Sequence, residues 1–570
     1  KIEVYYDKYM DIEWAYSKGK FYFLQTRPIT TLADEELPIL DVSKMDRLQR
    51  EVYDWVAERF PEPIHPIDGI VVKLLFMAQF EAMQEFGFTI DLMDWGKIEK
   101  GIFPEFFEPP AIHAGIRRIW PYLRLGRTLK SDPAAEWGRE QVYLLDMLKK
   151  LRGRDISGLP YEIITDYITE AFNHLHFFTV MRYRYFAQNR VPTILLSKFL
   201  SLLFKEQGTE VYDTLHAGVE NVTLELNRAL YQLAGEVREN SGVEEVFSEC
   251  VPERILEQLD KVPGGAEFVG KFNDFLGAYG DRETTMGLGG IASPTWQDSP
   301  EIVLGIIKAV LSEDPGTEEA REKRRAEKTR QAEERLYARL SRGIWAIIPI
   351  KSFVKKIIAH SRSFTAFREN SHYDVTRGLH VFRILFIEVG RRFVRKGILK
   401  DEADIFYLDY FEVKEIISTI YFGLEDLNVK ALNKKIETRK EERLRRINRW
   451  RLRNIKVDET SSIKGVPASL GIVSGTVKII KDPSEFQKLK KGDILVAPYT
   501  NPAWTPLFST AAGLVAETGG VASHAAIIAR EYGIPAVMGV IRATEIFTDG
   551  EIITINGSTG SIIRGQIQEG

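Results

Sequence analysis

Cysteine is almost missing from this sequence of 570 residues, in which Cys250 stands alone. A single cysteine excludes an internal disulfide and argues against a zinc site built from cysteine ligands. Long hydrophobic runs are missing too, because no apolar stretch approaches the roughly 20 residues that a membrane-spanning helix needs. We see no pattern of a secretory leader. We therefore expect a cytoplasmic protein with no membrane partner.

A large charge imbalance is also absent. The formal net charge is −4 at pH 7, which provides no general electrostatic reason to expect nucleic acid as a partner. Hydrophobic residues make up 44% and charged residues 28% of the sequence, as in ordinary globular proteins, and the length allows several domains. The chain begins at Lys1 rather than Met, so we expect that an upstream part is missing.

The stretch Thr518–Arg530, TGGVASHAAIIAR, combines a glycine pair with the start of a helix. Gly519 and Gly520 predict a tight, open loop, and the small residues that follow predict a helix from His524. Gly533 is placed to end that helix, with a short buried strand after it. An imidazole at a helix N-terminus lies beside unpaired backbone N–H groups, which stabilise a phosphoryl group. The structural alternative is a core histidine.

The longer run TGGVASHAAIIAREYGIPAVMG resembles the phosphohistidine signature of the phosphoenolpyruvate-utilising enzymes. In that family a histidine on a swivelling domain carries a phosphoryl group between two sites. His524 falls on the position of that histidine, so the resemblance implies that it is the catalytic phosphocarrier. Around it we predict a phosphoryl loop in which two hydroxyls donate hydrogen bonds to the phosphoryl group and two glycines let the backbone approach it: Thr518, Ser523, Gly519 and Gly520.

The segment Ala497–Phe508, APYTNPAWTPLF, belongs to the same resemblance. Within it, Thr500 and Trp504 either shape the loop beside His524 or pack in the core, and the sequence leaves both interpretations open. Arg530 comes six residues after His524, so it does not lie directly above that residue on a helix. We predict a structural or interface role for Arg530.

Short strands and frequent glycines from about Gly465 to Ile563 suit a compact β/β/α body. This whole span resembles the swivelling domain of the same family. The stretch Asn454–Ser462 before it replaces helical periodicity with charged residues and serine, and we predict a hinge there. A carrier that serves two separate sites must swing between them as a rigid body.

The N-terminal segment DIEWAYSKGKFYFLQTRPIT reads as two strands joined by a turn. It resembles the last hairpin of the ATP-grasp domain in phosphoenolpyruvate synthase and its relatives. The resemblance implies that Glu13 and Gln25 help to hold Mg²⁺ and that Arg27 contacts the nucleotide phosphates. The bulk of an ATP-grasp domain is absent. We therefore expect ATP and Mg²⁺ to be used only with such a domain, upstream in the same chain or on a separate subunit.

Residues 33–453 are predicted to be mostly helical, since segments such as Val211–Glu239 and Glu253–Tyr279 place apolar residues three and four apart. Glu318–Ala338 mixes acidic and basic residues, which predicts an exposed helix with i,i+4 ion pairs. The aromatic run His174–Phe186 either lines an acceptor pocket or, in the interpretation that we prefer, belongs to the core.

Two segments of this helical region are candidates for chemistry. The first, YGDRETT, begins at Tyr279, where a helix is predicted to end. The second begins at Phe367 and continues along a helix on which Arg377, His380 and Arg383 share a face, a basic strip for a phosphorylated group. A buried ion-pair network and a solvated face are the structural alternatives. Together the two segments resemble the acceptor-binding region of rifampin phosphotransferase and related enzymes, which implies acceptor-binding roles for Arg282, Glu283, Arg368, Glu369 and Arg377.

The predicted fold is multidomain, with a large helical middle and a small β/β/α swivelling domain. Residues 1–32 end an ATP-grasp domain, 33–453 bind the acceptor, 454–463 are a linker and 464–570 carry the phosphohistidine. The predicted function is an ATP-dependent dikinase-type phosphotransferase, or a subunit of one, that passes the β-phosphate of ATP to a small organic acceptor and releases AMP and phosphate. The alternatives are a phosphoenolpyruvate synthase-like enzyme acting on pyruvate and a non-catalytic binding or regulatory protein.

Overall fold

The computed structural model describes the chain between Met10 and Gly565 with short gaps. Outside the description lie residues 1–9, 18–19, 29–44, 47–48, 51, 54–55, 57–59, 61, 92–94, 100–102, 105–106, 153–154, 283–289, 312–314, 344, 346–349, 424–426, 453–462, 501–503, 506, 521–522 and 566–570. The predicted hinge Asn454–Ser462 and the predicted acceptor residue Glu283 fall among these residues.

The N-terminal hairpin forms as predicted. Strands β1 (Met10–Ser17) and β2 (Lys20–Pro28) pair antiparallel, with Glu13 opposite Gln25 and Asp11 opposite Arg27. Position 13 is thus paired directly with position 25, and position 27 lies two residues further along β2.

Helices make up most of the chain from residue 45 to 452, as predicted. Two short strands, β3 (Phe88–Ile90) and β4 (Ile112–Ala114), pair with each other. No helix in the described part of the chain is both long and apolar enough to cross a bilayer. The described helices are α1 (Asp68–Glu85), α2 (Trp95–Glu99), α3 (Trp120–Leu123), α4 (Leu125–Thr128), α5 (Pro133–Arg152), α6 (Tyr161–Phe204), α7 (Gly208–His216), α8 (Val222–Glu239), α9 (Ser241–Glu249), α10 (Pro252–Leu259), α11 (Gly265–Tyr279), α12 (Pro300–Leu311), α13 (Thr317–Arg339), α14 (Ile350–Arg395), α15 (Tyr410–Tyr421) and α16 (Val429–Leu452), with 3₁₀ turns at Ile116–Ile119, Lys205–Gln207 and Glu402–Tyr407.

Helices α6 and α14 organise the largest core. They have 44 and 46 residues, so each extends for about 65–70 Å at 1.5 Å per residue. Phe178 of α6 is buried and meets Trp137 of α5, with ring centroids 4.6 Å apart. Phe367 and Phe382 of α14 belong to the same core. The aromatic run is thus largely core, although Phe177 is 57% exposed.

One predicted helix is divided in two. The segment Val211–Glu239 breaks between α7 and α8, where Gly218 has a φ of +71°. Glycine reaches this left-handed conformation without the steric cost of a Cβ. Asn221 then caps α8, because its side-chain oxygen accepts from Thr223 N at 2.9 Å. The apolar periodicity continues across the break, which explains why the sequence pattern missed it.

The C-terminal region from Ile463 is a mixed sheet with short helices, which we call the carrier domain. Its strand order is β5-β12-β11-β7-β8-β9-β10-β6, and β7 to β10 run parallel while the other pairs are antiparallel. The result agrees with the predicted small β-rich body. The strands are β5 (Ile463–Lys464), β6 (Val466–Ser469), β7 (Ile472–Ile479), β8 (Ile494–Ala497), β9 (Gly513–Ala516), β10 (Ala536–Met538), β11 (Ile552–Asn556) and β12 (Ser561–Arg564), and the helices are α17 (Leu507–Thr510), α18 (His524–Tyr532) and α19 (Ala543–Ile546), with a 3₁₀ turn at Pro483–Lys488.

The carrier domain shares an apolar core with helices α8 to α12. Helix α12 supplies Ile302 and Ile306, and the carrier domain supplies Phe486, Leu507 and Phe508 to the same cluster of buried side chains. The sequence of α12, PEIVLGIIKAVL, is apolar on nearly all sides, as expected for a helix covered all round. We call the face of α12 that meets the carrier domain the apolar seat.

The packing at the apolar seat yields a stability prediction. Phe486 is fully buried, and its ring meets Trp504 edge to face with centroids 4.9 Å apart. We expect Phe486→Ala to lower the free energy of unfolding by about 3–5 kcal/mol, because a lost buried ring removes apolar contacts and leaves a cavity. Chemical denaturation followed by tryptophan fluorescence measures the change. Leu470→Ala, at a carrier position that is 61% exposed, should have little effect; equal losses would contradict the packing.

Candidate functional site

Helix α18 begins at His524, as predicted. Ser523 is its N-cap, with extended backbone angles, and Ser523 Oγ accepts a hydrogen bond from Ala526 N at 3.2 Å. Serine suits this position because its hydroxyl satisfies one of the N–H groups that the first turn leaves unpaired. The helix ends at Gly533, which has a φ of +68°. His524 therefore lies at the positive end of the helix dipole.

The loop before α18 requires glycine at position 519. Gly519 has a φ of +100°, and a Cβ there would lie 3.0 Å from both Cβ and Oγ of Ser523. A side chain would therefore press on the cap residue and strain the backbone. A Cβ at Gly520 would meet no described atom within 4 Å. The backbone at Gly520 is thus open to a bound group.

The two predicted phosphoryl-binding hydroxyls differ in whether the hydroxyl proton is already used in a hydrogen bond. Thr518 Oγ1 donates to Pro498 O at 3.3 Å, so its proton is directed at a neighbouring segment. Ser523 accepts from Ala526 N and retains its own O–H proton for a further bond. In this conformation Ser523 can donate to a phosphoryl oxygen, whereas Thr518 fixes the position of the loop.

The segment that Thr518 contacts holds two buried polar atoms. Thr500 Oγ1 and Trp504 Nε1 are shielded from solvent and have no hydrogen-bond partner among the described residues. Buried polar atoms are nearly always paired. The indole ring of Trp504 packs against Phe486 and Tyr499, which favours the packing role among the two roles left open for this residue.

Arg530 links the C-terminal half of α18 to the helical region. Its Nε lies 2.9 Å from Asp213 Oδ2 on α7, and its Nη1 donates to Ala468 O at 2.8 Å. Burial raises the pKa of the Asp213 carboxyl above its ordinary value, while the Arg530 charge acts in the opposite direction. The predicted structural or interface role of Arg530 agrees with these contacts.

The two candidate segments of the helical region meet at one face of α14. Asp281 Oδ1 lies 2.6 Å from His380 Nδ1, and Asp281 Oδ2 lies 3.7 Å from Arg377 Nε. Arg282 is only 5% exposed. Its Nη2 donates to Thr223 Oγ1 at 3.1 Å, and its guanidinium lies 4.8 Å from the ring centroid of Tyr373. The segments therefore form a buried polar network, the structural alternative to an open acceptor site.

Arg383 completes this network. Its Nε lies 2.9 Å from Asp298 Oδ2, and its Nη1 donates to Ala292 O at 2.8 Å. Arg377 likewise donates to Ala278 O at 3.1 Å. The basic strip predicted along α14 is thus turned inward, where it holds the chain between α11 and α12. Its partners come from residues distant in sequence, so helical periodicity alone could not reveal them.

Arg368 and Glu369 are half-buried on α14. Burial lowers the pKa of His216, on α7, to about 4, and the charges of Arg362 and Arg368 contribute to a smaller degree. Arg368 therefore lies on the side of α14 that faces α7. The predicted acceptor residues on α14 therefore do not form one cluster.

Helix α13 departs from the predicted exposed helix. Lys323 and Glu319 form an i,i+4 ion pair on its outer face, with Nζ and Oε1 2.7 Å apart. On its inner face, Glu318 and Arg325 are buried and paired with each other. This inner face packs near the carrier domain, which a regular mixture of charges did not indicate.

Exposed apolar side chains lie on the segment 116–123, on α5 and on α6. The segment and α5 both pack against α6, and the ring of Tyr143 lies 6.0 Å from that of His174. A concentration of large apolar side chains in solvent commonly marks a binding surface. We call this set the outer apolar surface; its members are 44–82% exposed and comprise Ile116, Ile119, Trp120, Tyr122, Leu123, Val142, Tyr143 and Phe177.

Three family models match separate parts of this chain. The model of the rifampicin phosphotransferase fourth domain matches residues 185–369, and that of the mobile domain of PEP-utilising enzymes matches residues 489–560. The AMP/ATP-binding domain of pyruvate phosphate dikinase matches residues 1–47. The mobile-domain match contains α18 and the loop before it, and the third match contains the N-terminal hairpin.

Curated relatives align along almost the whole chain. The phosphotransferase YvkC of Bacillus subtilis is 26% identical over 99% of this chain and 68% of its own length. Rifampicin phosphotransferase of Streptomyces sviceus is 27% identical over 99% of this chain and 66% of its own length. A probable phosphoenolpyruvate synthase of Staphylothermus marinus is 42% identical, over 19% of this chain and 13% of its own length. This chain thus spans about two thirds of the length of the relatives that it matches end to end.

These matches confirm the predicted resemblance. The chain carries domains of the phosphoenolpyruvate-utilising enzymes and is homologous to rifampicin phosphotransferases. The names of its end-to-end relatives also confirm the predicted enzyme class, a phosphotransferase. The match to an AMP/ATP-binding domain supports the use of ATP.

Asp374 is a buried carboxyl that the sequence did not single out. It accepts hydrogen bonds from Trp137 Nε1 and Gln141 Nε2, each at 2.9 Å, and its Oδ1 lies 3.5 Å from Arg377 Nη1. Burial outweighs these partners and raises the pKa of Asp374 to about 6. Its only sequence signal is an acidic residue on the inward face of an apolar helix.

This raised pKa predicts a pH-dependent stability. The folded protein binds the Asp374 proton more tightly than the unfolded chain, so this group adds stability as pH falls through 6. From pH 7 to pH 5 the gain is about 1 kcal/mol. Chemical denaturation at both pH values, in the wild type and in Asp374→Asn, isolates the contribution, since other groups titrate in both proteins. An identical pH dependence in the two would contradict the assignment.

Proposed function

We propose that this chain is the acceptor-binding and phosphohistidine-carrying part of an ATP-dependent dikinase-type phosphotransferase, with His524 as the phosphocarrier. The observation that supports this most is the position of His524 at the start of α18, behind a glycine loop and a serine cap. The mobile-domain match covers the same residues. Backbone N–H groups and the helix dipole stabilise an anion there.

In the first half-reaction, an imidazole nitrogen of His524 attacks the β-phosphorus of ATP. The bond from that phosphorus to the AMP oxygen breaks, which yields AMP and a pyrophosphoryl-histidine. Hydrolysis of the terminal phosphate then leaves a phosphohistidine. A covalent carrier in this way divides one difficult transfer into two easier ones.

ATP and Mg²⁺ belong to an ATP-grasp domain, on the same polypeptide or on a separate subunit. Glu13 is paired with Gln25 in the N-terminal hairpin and Arg27 lies two residues further along β2, within the region matched by an AMP/ATP-binding domain. Carboxylate and amide oxygens suit Mg²⁺, and a guanidinium suits phosphate. We assign these three residues to one edge of the nucleotide site.

In the second half-reaction, a hydroxyl oxygen of the acceptor attacks the phosphorus, the P–N bond breaks and the hydroxyl proton leaves to a base. We propose a small organic acceptor with an apolar body and a hydroxyl group. The outer apolar surface supports this class, because it offers large side chains that remain in solvent. Arg282 and Arg377 are engaged in the buried network, so we assign them to shaping the region rather than to direct contact.

Two alternatives have less support. For a phosphoenolpyruvate synthase-like enzyme, the relative of that name matches only 19% of this chain and 13% of its own length, which gives pyruvate little support as the acceptor. A non-catalytic protein has no need of a helix that starts at a histidine and is capped by Ser523. Labelling of His524 separates the enzyme from the binding protein.

The first test is labelling at His524. We expect the full chain to acquire an acid-labile, base-stable label from ATP radiolabelled at the β-phosphate, with Mg²⁺ and a separately purified ATP-grasp domain. His524→Ala should take up no label, because the nucleophile is lost. Leu470→Ala controls for effects of substitution in the carrier domain. If an ATP-grasp domain that labels another carrier leaves this chain unlabelled, the enzyme hypothesis fails.

The second test addresses the acceptor surface. Rifampicin, which appears in the names of the relatives, is the first acceptor to try, followed by other apolar hydroxyl compounds. With an acceptor that discharges the label, Trp120→Ser should slow discharge about tenfold, as expected for the loss of one apolar contact of 1–2 kcal/mol. Labelling of His524 should not change.

Leu202→Ser is the matched control for that substitution. Leu202 is a large exposed apolar residue on α6 that does not belong to the outer apolar surface. Equal slowing in both variants, or no effect in either, would exclude the outer apolar surface as the acceptor site.

A further inference from the structure

Tyr532, the last residue of α18, is held by side chains from two other helices. Asn227 Nδ2 of α8 donates to its hydroxyl at 3.0 Å. The guanidinium groups of Arg321 and Arg325, both on α13, lie 5.8 and 5.7 Å from its ring centroid. These distances are in the range of cation–π attraction. The C-terminal end of α18, opposite His524, is thus held by a hydrogen bond to the Tyr532 hydroxyl and by two guanidinium groups near the Tyr532 ring.

Arg321 also reaches past Tyr532 to the carrier backbone. Its Nη2 donates to Ser509 O at 2.7 Å, and its Nη1 donates to Tyr231 OH of α8 at 2.9 Å. The Arg530–Asp213 pair adds a contact with α7. Three helices of the helical region, α7, α8 and α13, therefore bind the carrier domain through directional polar contacts.

These contacts complement the apolar seat on α12. Apolar burial is strong but non-directional, so it can hold the carrier domain without setting its rotation. Hydrogen bonds and guanidinium–ring contacts depend on geometry. When such polar contacts break, water replaces the lost partners, so the net change in free energy is small. This suits a contact that is remade in every catalytic cycle.

We propose that Asp213, Asn227, Arg321 and Arg325 form a docking clamp for Arg530 and Tyr532, which holds the carrier domain in one orientation on the helical region while it serves the acceptor. This inference rests on the proposed function, since only a carrier that visits two sites needs a docking position. The clamp acts on the C-terminal end of α18 and leaves the N-terminal end, with His524, for the phosphoryl group. To reach the ATP-grasp domain, the carrier domain must leave both the clamp and the apolar seat.

Distance measurements between two spin labels test the clamp without any phosphoryl transfer. The labels occupy Leu202→Cys on α6 and Leu470→Cys on the carrier domain, both exposed positions, in the full chain with Cys250→Ser. We expect one narrow distance with the clamp intact. Tyr532→Leu, which keeps an apolar side chain, and Arg321→Gln should each add a second, broader distance population that the intact clamp lacks.

Arg324→Gln is the matched control, because Arg324 lies on the exposed face of α13. The spin-label distances in Arg324→Gln should equal those in the protein with the intact clamp. The proposal is overturned if the clamp variants keep the single narrow distance, if Arg324→Gln broadens it equally, or if the intact protein already shows a broad distribution. Two clamp variants guard against the failure of one of them to fold.

A phosphoryl-transfer assay then distinguishes a failure of the clamp proposal from a failure of the proposed function. If the clamp variants accept label from the ATP-grasp domain at an undiminished rate but discharge it to an acceptor more slowly, both are supported. If no chain accepts label, the proposed function fails, whereas the distances still decide whether the clamp exists.

Discussion

Polar side chains on the inward face of α14 must have partners, because a polar group held away from water without a partner is costly. Arg377, His380 and Arg383 find theirs at the end of α11 and in the chain between α11 and α12: the backbone carbonyls of Ala278 and Ala292, Asp281 and Asp298. These contacts fix the chain that leads into α12. Since α12 provides the apolar seat, the position of the carrier domain depends on the same network.

In the proposed function, the two ends of α18 have separate tasks. Its N-terminal end presents His524 behind the Ser523 cap, where the helix dipole and the unpaired N–H groups suit a phosphoryl anion. Its C-terminal end, with Arg530 and Tyr532, contacts α7, α8 and α13. A nine-residue helix separates these ends by about 12 Å. Docking and chemistry can therefore take place on one rigid element without sharing atoms.

Local signals in the sequence accounted for the carrier domain well. Gly519 and Gly533 predicted a loop and a helix end, and the small residues from His524 predicted the helix start, because these features are decided by a few neighbouring residues. The helical middle was predicted from apolar periodicity for the same reason. The N-cap role of Ser523 was not predicted. The break at Gly218 was missed, since apolar spacing continues through it and only the backbone turns.

The candidate acceptor residues were harder to predict. Arg377 and Arg383 resemble a solvent-facing strip in sequence, but their partners are about 90 residues away and become visible only when α11, α12 and α14 pack. Asp374 was overlooked because its raised pKa comes from burial by α5, not from its neighbours in the chain. The inner face of α13 was taken as solvated because the carrier domain that covers it is distant in sequence.

The sequence by itself determined the start of α18 at His524, the loop before it and the mostly helical nature of the middle region, because these depend on contacts between residues a few positions apart. Only the tertiary structure decided which charges are buried, which apolar side chains remain in solvent and how the carrier domain is seated. Burial and partnership are properties of elements brought together from distant parts of the chain, and local spacing contains no record of them.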